Sequence, residues 1–118
     1  LIAILSDLAQ YDKPVLINGG DVFVSRAVLD SAKSNDVITG VNQECVFTNI
    51  DFDSGTLIRQ DADTSSYYQE YLGRCKSAGL DVYLTEYAKA GDRIASSIHS
   101  YCEKNGFLYY ISSNINLD

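Results

Sequence analysis

Two junctions, at Gly79-Leu80 and Gly106-Phe107, repeat one order of events: an apolar helical stripe, a glycine, a short apolar strand, then a polar cluster. A chain that alternates helix and strand in this way is driven to parallel pairing with right-handed crossovers, because each strand must be reached by a helix that packs back on the sheet. Followed upstream, the same rhythm predicts four strands: Val15-Leu16-Ile17 opened by Pro14, Val37-Ile38-Thr39, Val82-Tyr83-Leu84, and Phe107 to Ile111. Each runs into a polar or acidic cluster: Asn18-Gly19-Gly20, Gly40-Val41-Asn42-Gln43-Glu44, Thr85-Glu86-Tyr87 and Ser112-Ser113-Asn114. Parallel strands bring their carboxyl ends to one face, which is where such folds bind ligands and do chemistry.

The helices follow from 3.6-residue periodicity. Leu1, Ile4, Leu5, Leu8 and Tyr11 form one stripe that ends at Asp12-Lys13-Pro14, and a second helix is expected over about Ser25–Asn35 with Ala27, Val28 and Ala32 inward. A third runs from about Thr64 to Ala78 with Tyr68, Tyr71, Leu72 and Cys75 as its stripe, and a fourth from about Asp92 to Asn105 with Ile94, Ala95, Ile98 and Cys102. Gly79 and Gly106 then act as helix terminators. The stretch from Gly40 to Asp63 is polar and weakly periodic, so it reads as a long site-forming loop.

The whole segment, 1–118, therefore reads as a single α/β unit of parallel strands alternating with helices. Four strands form either a small open sheet or half of an eight-stranded barrel. Length favours the open sheet, since a complete barrel needs about 250 residues. The start within a helix and the end just after a strand favour the carboxyl-terminal half of a (β/α)8 barrel.

Charge narrows the partners. Sixteen acids against nine bases leave a net charge of −7, which argues against nucleic acid because phosphate binding needs clustered Lys and Arg. No apolar run reaches the ~18 residues of a membrane span. Asn18-Gly19-Gly20-Asp21 lacks a nucleotide-binding glycine pattern, and Asp21 would repel phosphate. Cys45, Cys75 and Cys102 are too widely spaced for a zinc knuckle, and Cys75 and Cys102 fall on apolar stripes as small core residues. His99 lies mid-helix without a metal-ligand partner and reads as a solvated or packing histidine. No metal or cofactor is expected.

The ordered strand ends resemble those of glycoside hydrolase family 114, the endo-α-1,4-polygalactosaminidases and related extracellular barrel proteins. Leu16-Ile17-Asn18-Gly19 is similar to that family's strand ending in Gln-Asn-Gly, with Ile17 in place of the glutamine. Gly40-Val41-Asn42-Gln43-Glu44-Cys45-Val46-Phe47 resembles its glycine strand end followed by a glutamate and a hydrophobic-aromatic pair. Val82-Tyr83-Leu84-Thr85-Glu86-Tyr87 resembles a strand ending in Val-Asp-Tyr, with Glu86 replacing the shorter acid, and Asn105-Gly106-Phe107-Leu108-Tyr109-Tyr110 is similar to the last strand, with Leu117-Asp118 as a recurring tail. The resemblance covers the carboxyl-terminal half of the family's barrel. It implies a secreted or surface glycosidase acting on a galactosamine-rich polysaccharide, with a second catalytic aspartate upstream of Leu1.

Glycoside hydrolysis uses two carboxyl groups flanking the scissile bond. The resemblance puts Glu44 at the general acid/base position, where an acid must keep its proton near neutrality with help from burial or from a neighbour such as Glu86. From the residues alone, Glu44 reads as an exposed loop acid, and the resemblance is what favours the functional role. Glu86 and Tyr87, directly after a strand, are expected to bind a substrate amine and to form a sugar platform, or else to make structural hydrogen bonds at a barrel rim. Asn18 is expected to bond sugar hydroxyls or to satisfy a turn, and Ser112 is a supporting strand-end position. Cationic amines of such a polymer suit an acidic protein. The alternative is a non-enzymatic carbohydrate-binding or dimerising module, its open edges at Pro14–Asn18 and Phe107–Ile111 packing against a second copy or a missing amino-terminal half.

Overall fold

Both long helices close with the same hydrogen-bond motif, and that motif generates the strand after each. The computed structural model describes residues 3–4, 14–30 and 38–116. At the end of one helix, Gly79 takes a left-handed φ of 87° while its N–H donates to the Lys76 carbonyl and Leu80 N–H donates to Cys75. At the other, Gly106 has φ 71° and Phe107 N–H donates to Cys102. A glycine in this conformation satisfies the last helical carbonyls and reverses the chain. Leu80 and Phe107, the next residues, are buried in the core at 2% and 5% exposure.

The elements run β1 (Leu16–Asn18), α1 (Asp21–Val24, continued by a π-helical turn Ser25–Leu29), β2 (Gly40–Glu44), β3 (Thr48–Asp51), β4 (Thr56–Arg59), α2 (Ala62–Ser77), β5 (Asp81–Tyr87), α3 (Arg93–Asn105) and β6 (Leu108–Ser112). Strands β1, β2, β5 and β6 form a sheet in that order, every pair parallel. The alternation of helices and parallel strands expected from the rhythm is what folds.

One sheet face is packed. Val41, Val82 and Leu84 join Leu72 and Cys75 of α2 and Ile98 and Cys102 of α3 in one buried cluster. Each fully buried Leu or Ile side chain contributes about 1.5–3 kcal/mol. The opposite face carries Leu16, Asn18, Asn42, Glu44, Thr85, Leu108 and Tyr110, because side chains alternate across a strand; there Leu16 and Leu108 are 50% and 63% exposed. Tyr71 is buried, as its stripe predicts, and Tyr68 and Tyr101 pack against the core.

Several expected boundaries change. The first expected helix lies outside the described residues except for Ala3 and Ile4, which are helical. The second begins earlier, at Asp21, and its expected end lies outside the described residues. The second strand is not Val37–Thr39 but Gly40–Glu44, so the polar cluster expected to follow a strand is the strand itself. Glycine there is not a breaker. A Cβ on Gly40 would lie 2.5 Å from the Asp81 carbonyl oxygen and 2.9 Å from Leu16 Cδ2, so the glycine permits close approach of β1, β2 and β5. Gly40→Ala is expected to destabilise the fold by about 1–3 kcal/mol through this overlap. Chemical denaturation measures it, and an unchanged midpoint would show that the strands can separate without cost.

The expected long loop over 40–63 is likewise replaced by β2 and an antiparallel hairpin of β3 and β4, paired from Thr48↔Arg59 to Asp51↔Thr56. Its turn is built by side chains. Asp51 accepts from Asp53 N–H at 3.0 Å and from the Ser54 hydroxyl at 2.9 Å, and Gly55 closes it with φ 70°. Asp61 then caps α2 by accepting from Thr64 N–H at 3.0 Å.

Candidate active site

The parallel register brings polar side chains from three strands to the open face. Asn18 stands opposite Asn42, and Glu44 opposite Thr85. Thr85 Oγ1 donates to Asn42 Oδ1 at 3.1 Å, and Asn42 Nδ2 donates to Asn18 Oδ1 at 2.8 Å. A polar row thus crosses β5, β2 and β1. Glu44 ends β2, half-buried, and Tyr87 Oη donates to its Oε1 at 2.5 Å. That hydrogen bond to a carboxylate, more than burial, pushes the Tyr87 hydroxyl up to about 12, so it remains a donor through neutral and mildly alkaline pH.

Glu86 sits on the other face. Its side chain has the same parity as Val82 and Leu84, and its residue is 0% exposed. Val46 N–H donates to Oε1 at 2.7 Å and Thr48 N–H to Oε2 at 2.9 Å, with Phe47 N–H shared between the two oxygens at 3.1 and 3.2 Å. The Thr48 hydroxyl adds a fourth donor at 2.6 Å. Burial pushes the Glu86 carboxyl above its ordinary range, and these hydrogen bonds pull against that shift. A carboxylate enclosed this way holds the loop and does not fit the expected role of binding a substrate amine.

The loop reaches Glu86 because Cys45 adopts a left-handed φ of 58°, the one non-glycine among the described residues to do so. That conformation costs roughly 1–2 kcal/mol for a residue with a Cβ. It is held by Cys45 N–H donating to the Thr85 carbonyl at 3.0 Å and by Gln60 Nε2 donating to the Cys45 carbonyl at 2.9 Å. Three successive amides then point one way, a backbone arrangement suited to an anion. Burial, with Glu86 and Glu44 nearby, pushes the Cys45 thiol up to about 11, so it is a poor nucleophile. Cys75 and Cys102 are fully buried, as their stripes predict.

The remaining sequence candidates separate. Asn18 is exposed on the open face, within the polar row. Tyr87 is 6% exposed, which leaves little ring face for a sugar. Ser112 is 0% exposed and its hydroxyl donates to the Asn114 carbonyl at 2.6 Å, so it shapes the turn after β6 and not a contact surface. His99 is an exposed packing residue, bonded to the Tyr109 hydroxyl at 2.6 Å and to Glu103 at 3.3 Å. Thr48, absent from the sequence reading, and Thr85, there only a member of a strand-end cluster, complete the network. At the same carboxyl end of the sheet, a cleft of about 300 Å3 opens between Gly55, Thr56 and Leu57 of the hairpin, Lys89, and Ser113, Asn114 and Ile115. Among the described residues no group of three or more His, Cys, Asp or Glu could hold a metal, and no helix is long and apolar enough to cross a membrane.

A four-strand parallel sheet with one open polar face matches known structures. The chain aligns with the glycoside hydrolase domain of PelA from Pseudomonas aeruginosa at a TM-score of 0.72 and 16% identity, covering 99% of this chain and 44% of that one. The fold is part of a TIM-barrel-like domain. A glutamate-to-alanine variant of the PelA domain gives a TM-score of 0.71 at 15% identity, with the same coverage of both chains. This chain therefore spans less than half the length of the structures it matches. No protein-family model and no curated protein matches its sequence. In the barrel frame the helix-covered face is the outer one, and the row Asn18, Asn42, Thr85 with Glu44 lines the inside at the carboxyl ends of the strands.

Proposed function

We propose that this chain is the acid/base-bearing part of a secreted glycoside hydrolase of the endo-α-1,4-polygalactosaminidase type, cleaving a galactosamine-rich polysaccharide. The observation that carries the reading is Glu44: a carboxylate at the carboxyl end of a parallel strand, on the inner face, held at one oxygen by Tyr87. The glycoside hydrolase fold of the structural neighbours supports it. In this reading Glu44 protonates the glycosidic oxygen as the bond breaks, and a second carboxyl group, carried by the rest of the barrel, acts from the opposite side.

Asn18 offers its exposed amide to sugar hydroxyls, while Glu86 holds the loop after Glu44 and Ser112 shapes the turn after β6. The cleft beside Lys89 continues the strand-end face and gives a polymer a path across it. A net charge of −7 draws a polymer bearing protonated amines by long-range attraction. The two sheet edges, β1 and β6, pair with further strands of the complete barrel, which covers Leu16 and Leu108.

The test is release of new reducing ends from partly deacetylated α-1,4-linked galactosamine polymer by the full-length protein that carries this chain. Cleavage is the expected result. Folded protein that retains the polymer without cutting it would overturn the reading in favour of a binding module.

A further inference from the structure

We propose that Tyr87 is a positioning residue for Glu44, fixing which carboxylate oxygen carries the transferred proton; this rests on Glu44 being the acid/base. The hydroxyl occupies Oε1 at 2.5 Å, which leaves Oε2 as the oxygen able to hold and deliver a proton. Tyr87 is itself fixed from behind. Its backbone N–H donates to Thr48 Oγ1 at 2.9 Å, and that hydroxyl donates to Glu86 Oε2 at 2.6 Å. The same Glu86 gathers the amides of residues 46–48, which follow Glu44 in the chain.

The contacts close a circuit from Glu44 through its own loop to Glu86, on to Thr48 and Tyr87, and back to Glu44. Every link is a hydrogen bond or a covalent segment of a few residues. The ring, only 6% exposed, has little freedom to swing away. Losing the Tyr87 donor frees the Glu44 carboxyl to turn, and the lost orientation slows proton transfer, which is worth ~100-fold or more when fully in place.

The experiment compares Tyr87→Phe with wild type and Glu44→Gln in the full-length protein, recording kcat, KM and a melting curve. Tyr87→Phe is expected to lower kcat about tenfold and to leave KM within about twofold, effects sized to one lost charge-assisted hydrogen bond. A merely structural tyrosine would lower the melting temperature and leave kcat of the folded protein unchanged. An unchanged kcat beside an inactive Glu44→Gln overturns the positioning role and leaves Glu44 standing. A raised KM with an unchanged kcat also overturns it and assigns Tyr87 to sugar binding. A fully active Glu44→Gln overturns the acid/base reading instead.

Discussion

Glu44→Gln in the full-length protein is expected to reduce hydrolysis of the galactosamine polymer by at least about 100-fold, since general acid/base catalysis contributes about 10²–10⁴. The amide preserves the volume of the side chain and its oxygen can still accept from the Tyr87 hydroxyl, so the fold is expected to survive. What it cannot do is exchange a proton at Oε2. The loss is therefore expected to fall on kcat, with KM little changed, because the polar row of Asn18, Asn42 and Thr85 is untouched. Initial rates of reducing-end release, paired with a melting curve, measure both parts. Undiminished turnover would remove Glu44 from the mechanism.

Glu86 carries the largest expected effect on stability. Glu86→Gln places an NH2 group where Val46 N–H or Thr48 N–H now donates, which sets donor against donor in a fully buried site. Removing one partner from a buried charged network costs about 3–5 kcal/mol. A loss near the lower end is expected for the isosteric amide and more for Glu86→Ala, which also leaves a cavity. Denaturant midpoints at pH 7 measure it, and a change under about 1 kcal/mol would show that the loop finds other acceptors.

The pH dependence has a definite sign. Burial raises the Glu86 carboxyl, so the folded state binds that proton more readily than the unfolded state. Its linkage contribution is then complete below the unfolded value near ~4.3 and falls away as pH rises through the folded value. The advantage of wild type over Glu86→Gln is therefore expected to persist, not shrink, between pH 7 and pH 5.

The two long helices and the last two strands were legible because their signals are local. Stripes such as Tyr71, Leu72 and Cys75, ended by Gly79, leave one period and one stop. The second strand was not, because Gly40 and the polar Asn42, Gln43 and Glu44 contradict strand propensity. Those polar residues are tolerated where cross-strand partners such as Thr85 satisfy them, and a partner 43 residues away leaves no mark on the local pattern. The hairpin left a readable trace in Asp51-Phe52-Asp53-Ser54-Gly55, a turn built from residues that bond their own backbone. Glu44 could be singled out by resemblance, but its contact with Tyr87 required the register. Glu86 shows the limit most clearly: an acid directly after a strand left amine binding and a structural hydrogen bond equally open, although its shared parity with Val82 and Leu84 pointed to the helix side.

The anchoring of residues 46–48 divides the hairpin into two mechanical parts. Its root is clamped to a buried carboxyl, while its turn, where Phe52 is 78% exposed, is held by Asp51 accepting from Asp53 and Ser54 within the turn itself. Evolution or an engineer can therefore lengthen, trim or exchange the turn without transmitting strain to Glu44. Under the proposed function the hairpin is a graftable arm beside a fixed acid, where substrate range could diversify without touching the chemistry.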